Sequence, residues 1–326
     1  MKYINVTSDE QLTFAETPVP DFSGDECLIR VKAIGVNRAD ILQRQGNYPA
    51  PKGESTILGL EVCGEIVACG SAVNNWKTND KVFGLVAGGG YAEYVVIKSS
   101  QLFYLPATFT FEQGAACAET FLTAYQSLFL IAQLQPKQSV LIHAGASGVG
   151  CAAIQLAKAR DCFVVVTAGS EEKCQACLTL GADIAINYHQ IAFEQWQKKY
   201  AHDGFNVIVD LVGGDYLQKN IQVAAIDGQI VLLSIIRGRY CEKVDMGMML
   251  SKRIKLSAST LRNRDYDYKA ELVVNFKEDF GELFSAGQLL PVIDTCYQWQ
   301  NADSAHQQML GNRNVGKLVL MVELTA

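Results

Sequence analysis

Apolar and polar positions alternate along this chain with two different periods. Before about residue 120 the apolar positions recur every second residue in short stretches: Cys27 to Ala33 reads as a strand with one buried face, and Val62 to Cys69 and Tyr91 to Ile97 follow it. Gly, Pro and Asn break these stretches apart, as in a small, bulged β-rich domain. From about 121 the pattern changes to apolar strands alternating with amphipathic helices. Strands are predicted at Ser139 to His143, Cys162 to Thr167, Asp183 to Asn187, Asn206 to Leu211, Gln229 to Leu233 and Arg253 to Ser257, with helices at Cys151 to Arg160 and Glu171 to Leu180. A parallel neighbour is reached only through a long return connection, so this alternation predicts a parallel sheet with crossover helices. After about 263 a helix from Lys269 to Ser285 and a strand from Lys317 to Val322 do not continue the alternation. The expected fold is α/β: a doubly wound parallel-sheet domain (121–263) inserted into a β-rich domain built from residues 1–120 and 264–326.

Composition narrows the function. The 326 residues are 49% hydrophobic and 19% charged, ordinary for two packed domains. Lys and Arg number 28 against 34 Asp and Glu, a formal charge of 28 − 34 = −6, so no broad basic field invites nucleic acid or anionic lipid. No apolar run approaches the roughly 20 residues of a membrane helix, and the Met1-Lys2-Tyr3-Ile4-Asn5 start lacks the charge and apolar core of a signal peptide. The expected location is cytoplasmic. The 10 cysteines lie mostly in apolar runs and read as small buried hydrophobes. The one CxxC, Cys174 to Cys177, falls on a helical pattern without the second pair or histidine of a zinc site.

The strongest local signal is the run from Val140 to Gly150. A strand enters a turn of small residues, Ala144, Gly145, Ala146, Ser147, Gly148, Val149 and Gly150, and leaves as a helix. Unpaired amides and the positive helix end then face outward with no bulky side chain in the way, a cradle for a dinucleotide pyrophosphate. Ser147 lacks a G-x-S-x-G elbow and is expected to bond cofactor phosphate rather than act as a nucleophile. At the end of the second strand an acid would select NAD through its ribose hydroxyls; the chain reads Ala168, Gly169, Ser170 instead. With Ser170 as a donor and Lys173 one turn into the next helix, a 2′-phosphate is accepted, so the expected cofactor is NADPH. His143 ends the first strand of this domain, and His189, His202 and His306 show no triad or metal spacing.

These residues, with Gly35-Val36-Asn37-Arg38-Ala39-Asp40, Leu58-Gly59-Leu60-Glu61-Val62-Cys63-Gly64, Gly89-Gly90-Tyr91-Ala92-Glu93-Tyr94, Asp210-Leu211-Val212-Gly213-Gly214 and Asn314-Val315-Gly316-Lys317, resemble the zinc-free quinone oxidoreductases of the medium-chain dehydrogenase/reductase superfamily. Ala144 to Gly150 and Thr260-Leu261-Arg262 look closest to the tumour-suppressor-inducible branch. The resemblance implies a GroES-like domain, a Rossmann domain and a cleft between them for nicotinamide and substrate. By position it places Tyr188 near the adenosine 2′-phosphate with Gly169 and Lys173, Asn314 towards the nicotinamide, and Asn37 and Tyr48 at the substrate. Where zinc-dependent relatives have ligands, this chain has Asn37 and Leu60, and 85–110 holds no cysteine, so no metal is expected.

The implied reaction is hydride transfer from NADPH to an acceptor that is already electrophilic, a quinone or an enone, with solvent or the Tyr48 hydroxyl protonating the oxyanion. Asn37 bonds the acceptor or nicotinamide, or holds the loop. Two alternatives stand beside it: an alkenal or enoyl reductase, and a low-turnover NADPH-binding protein of regulatory or structural role. Members of the superfamily pair through an exposed sheet edge, here Gln229 to Ser257 with the apolar Met246 to Leu250, so a homodimer is expected.

Overall fold

In the computed structural model, which describes residues 1–199 and 203–323, the chain divides into two units: Met1–Leu122 with Leu261–Ala326, and Thr123–Thr260. The first unit opens with an antiparallel pair, β1 (Lys2–Val6) and β2 (Leu12–Glu16). β3 (Glu26–Val36) then runs into α1 (Arg38–Arg44), and β4 (Glu61–Cys69), β5 (Lys81–Leu85), β6 (Tyr94–Lys98) and β7 (Leu102–Tyr104) follow. β3 is the spine of this sheet, pairing antiparallel with both β4 and β6, and its register shifts twice against β4. α2 (Phe111–Ala115) and α3 (Ala118–Tyr125) complete the first pass.

The expected strand beginning at Tyr91 starts instead at Tyr94. Gly88, Gly89 and Gly90 fold back first, Gly89 at φ +96°, and Tyr91 donates its amide to Leu58 while Ala92 makes a lone bridge with Tyr3. The apolar pattern there marks burial rather than an extended ladder.

The second unit is a six-stranded parallel sheet. In chain order it contains β8 (Ser139–Ile142), α4 (Gly148–Ala159), β9 (Phe163–Ala168), α5 (Glu171–Thr179), β10 (Ile184–Asn187), α6 (Phe193–Lys199), β11 (Phe205–Asp210), α7 (Tyr216–Val223), β12 (Ala224–Leu232), α8 (Met246–Lys252) and β13 (Lys255–Ala258). The sheet order β10-β9-β8-β11-β12-β13 reverses direction at β8, the doubly wound arrangement. Val140, Leu141 and Ile142, and likewise Val164, Val165 and Val166, are fully buried as consecutive residues. Strands covered on both faces lose alternation, which is why their sequence reads as continuous apolar runs.

The chain returns to the first unit through α9 (Tyr266–Ser285), β14 (Ile293–Gln298), α10 (Ala302–Leu310) and β15 (Lys317–Met321). α9 is capped by Asp265, whose carboxylate accepts from the Tyr268 amide at 2.7 Å, and it buries Leu272, Val273, Phe276, Phe280 and Phe284 at helical spacing. β15 pairs antiparallel with β3 on one side and parallel with β14 on the other. β14-α10-β15 is therefore a strand-helix-strand crossover in the tail, where the sequence pattern shows only one strand. β14 escapes notice because it is an edge strand with alternate positions exposed and an Asp, Thr and Gln among six residues. Among the described residues no helix is long and apolar enough to cross a membrane.

Candidate functional site

In the second unit the turn between β8 and α4 is built by backbone contact. Ala144 adopts φ +52°, a left-handed conformation rare for a residue with a side chain. That bend lets Gly145 donate its amide to the Thr167 carbonyl at 2.9 Å, pressing the turn against β9. A Cβ on Gly145 would lie 2.6 Å from that of Val166, and one on Gly150 would lie 2.5 Å from the carbonyl oxygens of Ala144 and Gly145. Ser147 caps α4, its Oγ accepting from the Gly150 amide at 3.1 Å; its proton is left to donate outward. The first-turn residues Gly148 and Val149 thus present amides at the positive end of a 12-residue helix, the Gly150 amide being taken by the cap. The cradle fits a pyrophosphate, because each position that a side chain would obstruct is Gly, Ala or a capping Ser.

Behind this turn lies a buried hydrogen-bond chain. Asp210 accepts from the amides of Val212 and Gly213 through Oδ1 at 2.8 and 2.9 Å, and from Asn220 Nδ2 through Oδ2 at 2.9 Å. Asn220 therefore offers its oxygen to His143 Nε2 at 2.8 Å, so that nitrogen carries the proton and Nδ1 accepts from the Thr167 hydroxyl at 3.0 Å. Burial holds the ring below its ordinary pKa and neutral. His143 fastens β8 to β9 and α7 and leaves no nitrogen for chemistry.

The end of β9 places the expected nucleotide-selecting residues together. Tyr188 donates its amide to the Ala168 carbonyl, and its hydroxyl fills the space that a side chain on Gly169 would need. Ser170 caps α5 by accepting from the Lys173 amide at 3.2 Å. A residue overlooked in the sequence joins them: the Arg237 guanidinium lies 5.7 Å from the ring centres of both Tyr188 and Tyr216. Arg237 is exposed and has no carboxylate partner among the described residues. Glu171 and Glu172 stand in the first turn of α5, both exposed to water.

The first unit holds a second cluster, around Glu61. This carboxylate lies in the apolar β4 at 1% side-chain exposure and pairs at 2.7 Å with Lys317, itself 4% exposed. Lys317 Nζ also donates to the Val36 carbonyl at 2.6 Å and to Asn37 Oδ1 at 2.7 Å. Asn37 Nδ2 donates to Glu61 at 3.0 Å and to the Gly35 carbonyl, and the Glu119 amide donates to the second Glu61 oxygen at 3.0 Å. Asn37 is thus tied on both of its polar atoms to the ion pair. Gly35 must lack a side chain, since a Cβ there would collide with Glu61 and with the Ala115 carbonyl.

A further buried chain ends at Asp40. Arg44 donates to His306 Nδ1 at 3.4 Å; Nε2 then carries the ring proton and faces the Tyr91 hydroxyl at 3.0 Å, which donates to Asp40 Oδ2 at 3.3 Å. The Asn37 amide donates to the same Oδ2 at 2.7 Å, and Oδ1 has no partner among the described residues. Burial dominates the titration of all three groups. It pushes Asp40 up to about 6 and His306 down to about 4, and with the nearby Glu61 charge it pushes Glu119 up to about 7.

Tyr48 is half-buried, and its hydroxyl has no partner among the described residues. Its carbonyl accepts from Arg262 Nη1 at 3.3 Å, its ring lies 5.4 Å from the same guanidinium, and Arg262 is anchored at 2.6 Å to Gln43 and 2.7 Å to the Ala87 carbonyl. Asn314 sits in the turn before β15 with its amide donated to the Gly316 carbonyl at 2.7 Å. Glu61, Lys317, Glu119 and Arg262 were not singled out from the sequence; for Glu61 and Lys317 the available signal was a charge at the head of an apolar strand. His202 lies outside the described residues. Among them, no group of three or more His, Cys, Asp or Glu could hold a metal ion.

Comparison with known proteins matches residues 23–107 to the alcohol dehydrogenase GroES-like domain and residues 148–277 to the zinc-binding dehydrogenase family. The human synaptic vesicle membrane protein VAT-1 homolog is 29% identical over 306 residues, 90% of this chain and 78% of that protein. The quinone oxidoreductase of Pongo abelii is 29% identical over 318 residues, 94% of this chain and 92% of the relative. Escherichia coli quinone oxidoreductase complexed with NADPH superposes with a TM-score of 0.86 at 27% identity, covering 98% of both chains. An NAD-dependent alcohol dehydrogenase reaches 0.87 at 27% identity, covering 99% of this chain and 100% of that one.

Removing one partner of the Glu61–Lys317 pair leaves a buried charge uncompensated. Lys317→Met is expected to destabilise by about 3–5 kcal/mol, read from urea unfolding, and the added Glu61→Gln change to recover much of the loss. A Lys317→Met protein as stable as wild type would show the pair to be energetically idle. The raised Glu119 carboxyl has a definite sign. Its folded pKa lies above its unfolded value, so ionising it costs stability as pH rises through about 4.5 to 7. Glu119→Gln is expected to raise Tm relative to wild type at pH 8, the difference shrinking towards pH 5. An equal difference at both pH values would mean that ionisation of Glu119 is not its source.

Proposed function

Because this chain belongs to the zinc-free quinone oxidoreductase family of the medium-chain dehydrogenase/reductase superfamily, we propose that it is an NADPH-dependent, zinc-independent reductase of quinones or related electrophilic carbonyls. The observation that carries the cofactor choice is the end of β9. No carboxylate occupies it: Gly169 and Ser170 stand there, Tyr188 packs over Gly169, and in this reading Lys173 and Arg237 supply cations to a 2′-phosphate. Glu171 and Glu172 oppose an anion there, but as exposed groups they are screened by water and salt. The relative in complex with NADPH supports the same choice. The NAD-dependent relative of the same fold makes that choice depend on these few side chains rather than on architecture.

When bound to the turn formed by Ala144, Gly145, Ser147, Gly148, Val149 and Gly150, NADPH supplies a hydride from its nicotinamide C4. The protein's own contribution is positioning and a proton. Tyr48 is the proton donor in this reading. Burial raises its pKa, with the neighbouring Glu119 charge adding to the effect, so the phenol keeps its proton until an oxyanion forms on the acceptor. Arg262 fixes the Tyr48 backbone and faces its ring. Asn37 acts by holding the entrance of α1 through Lys317 and Glu61.

We further propose a homodimer formed along β13, the open edge of its sheet, where Leu256 is 42% exposed and, on α8, Met246 and Leu250 are 76% and 80% exposed. A cytoplasmic location suits ten free cysteines.

Initial rates with 1,2- and 1,4-quinones and a simple enone, with EDTA present, test the reading. kcat/KM is expected to favour NADPH over NADH and quinones over the enone. Arg237→Ala is expected to reduce the NADPH value roughly 10- to 100-fold while sparing NADH, the worth of one charge-assisted contact. Equal rates with both nucleotides in the wild type would overturn the cofactor choice. Tyr48→Phe is expected to lower kcat with quinone roughly 100-fold with the NADPH Kd unchanged; full turnover would transfer the proton to solvent.

A further inference from the structure

Cys27 and Cys69 face each other directly across β3 and β4, with their sulfurs 4.0 Å apart. The neighbouring pair is hydrogen-bonded, the Gly70 amide donating to the Glu26 carbonyl at 2.8 Å, which makes Cys27–Cys69 a non-hydrogen-bonded pair. At such positions opposing side chains approach most closely, and the Cα separation typical of them, about 4.5 Å, lies within the range that disulfides span. The sulfurs need to close by about 2 Å to reach the bond length of a disulfide. Both residues sit near strand ends, Cys27 second in β3 and Cys69 last in β4, and the β3–β4 register shifts one residue beyond, between Leu28 and Ile29. The backbone can therefore yield there without disturbing the centre of the sheet.

We propose that Cys27 and Cys69 form a reversible disulfide on exposure to a peroxide, and that this bond clamps the segment carrying the first unit's candidate site. Residues 27–69 contain Asn37, Asp40, Tyr48 and Glu61, so closure cyclises nearly all of that cluster's first strand, helix and loop.

The two sulfurs are unequal, which sets the order of events. Cys69 is half-buried, with its thiol 3.7 Å from the Trp76 carbonyl, whereas Cys27 is fully buried. Burial first, and the Cys69 sulfur second, push the Cys27 thiol up to about 12, so it stays protonated and inert while its partner is reduced. Hydrogen peroxide reaches Cys69: the O–O bond breaks, the sulfur is oxidised by two electrons to a sulfenic acid, and one water leaves. The Cys27 sulfur then attacks the Cys69 sulfur. The S–S bond forms, the S–O bond breaks, and the hydroxyl leaves as a second water with the Cys27 proton. Two thiols and one peroxide thus give one disulfide and two waters.

The oxidant belongs to the setting proposed above, since semiquinones autoxidise to superoxide and peroxide, but the disulfide itself does not depend on that activity. Closing a loop of this length reduces the freedom of the unfolded chain. Oxidation is therefore expected to stabilise the protein and to leave turnover intact.

The full-length protein is treated with a small excess of hydrogen peroxide, blocked with N-ethylmaleimide and digested without reduction. The expected product is a linked peptide pair joining Cys27 to Cys69, lost with dithiothreitol and absent from Cys69→Ser, which keeps wild-type turnover. Oxidation is expected to raise Tm by roughly 5 °C in the wild type and not in Cys69→Ser or Cys27→Ser. Recovery of Cys69 as sulfinic acid, or of both thiols as maleimide adducts, would overturn the disulfide; a linked pair with unchanged Tm would overturn the clamp. Neither result bears on the NADPH and quinone rates, so this proposal and the proposed activity fail separately.

Discussion

A carboxylate buried inside an apolar strand constrains the whole first unit. Left unpaired, the Glu61 carboxylate would be costly there, because desolvating a lone charge takes several kcal/mol. Its compensation comes from the far end of the chain: Lys317, at the head of β15, reaches it at 2.7 Å. That contact requires the tail to return and lie against β3, which β15 does in antiparallel register. The discontinuous domain is thus enforced by electrostatics as well as by apolar packing. The same pair dictates Gly35, whose missing side chain makes room for the carboxylate, and it orients Asn37, whose two polar atoms are both drawn to it.

The second unit is constrained by contact between backbones. β8 and α4 can meet in so tight a turn only if Gly145 lies flat on Val166 and Gly150 faces the carbonyls of Ala144 and Gly145. The left-handed Ala144 is the local cost of that bend. The consequence is a helix end whose first amides, those of Gly148 and Val149, are turned outward. The two units therefore solve different problems. One keeps charges dry and paired, and the other leaves the first amides of a helix to an incoming anion.

This difference explains how much could be read from the sequence. The alternation of buried strand runs with helices, and the small-residue turn, are local in sequence, so the parallel sheet from β8 to β13 and the tight turn between β8 and α4 were legible there. Tyr91 was misread as a strand residue because apolar periodicity reports burial, and three glycines upstream had already turned the chain. β14 was missed because an edge strand needs few apolar residues. Long-range polar pairs leave only a faint trace. Lys317 stands in Asn314-Val315-Gly316-Lys317 and Glu61 in Gly59-Leu60-Glu61, both segments noticed as motifs, but nothing in either segment names the other. Arg237 lies in a loop whose path across Tyr188 is set by Gly213 and Gly214 packing against it.

The buried titratable groups of the first unit oppose one another, and that opposition has a reason in the fold. Asp40 and Glu119 have folded pKa values of about 6 and about 7, above their unfolded values of 3.8 and 4.5, so the folded protein binds more protons than the unfolded one in those windows. Stability from these two groups is present at low pH and is lost as pH rises through the windows. His306, held neutral with a folded pKa of about 4 against 6.5, behaves in the opposite way: its contribution is present above 6.5 and is lost as pH falls towards 4. Asp40 and His306 are bridged by a single hydroxyl, that of Tyr91, and titrate over nearly the same interval. Acidification therefore gains at one end of the bridge much of what it loses at the other. Glu119 lies outside the bridge and has no such counterweight between pH 6.5 and 7. The candidate site thus carries its pH sensitivity near neutrality on the carboxyl that lies beside Tyr48 and Glu61, while the Asp40–Tyr91–His306 chain that fixes α1 is balanced within itself.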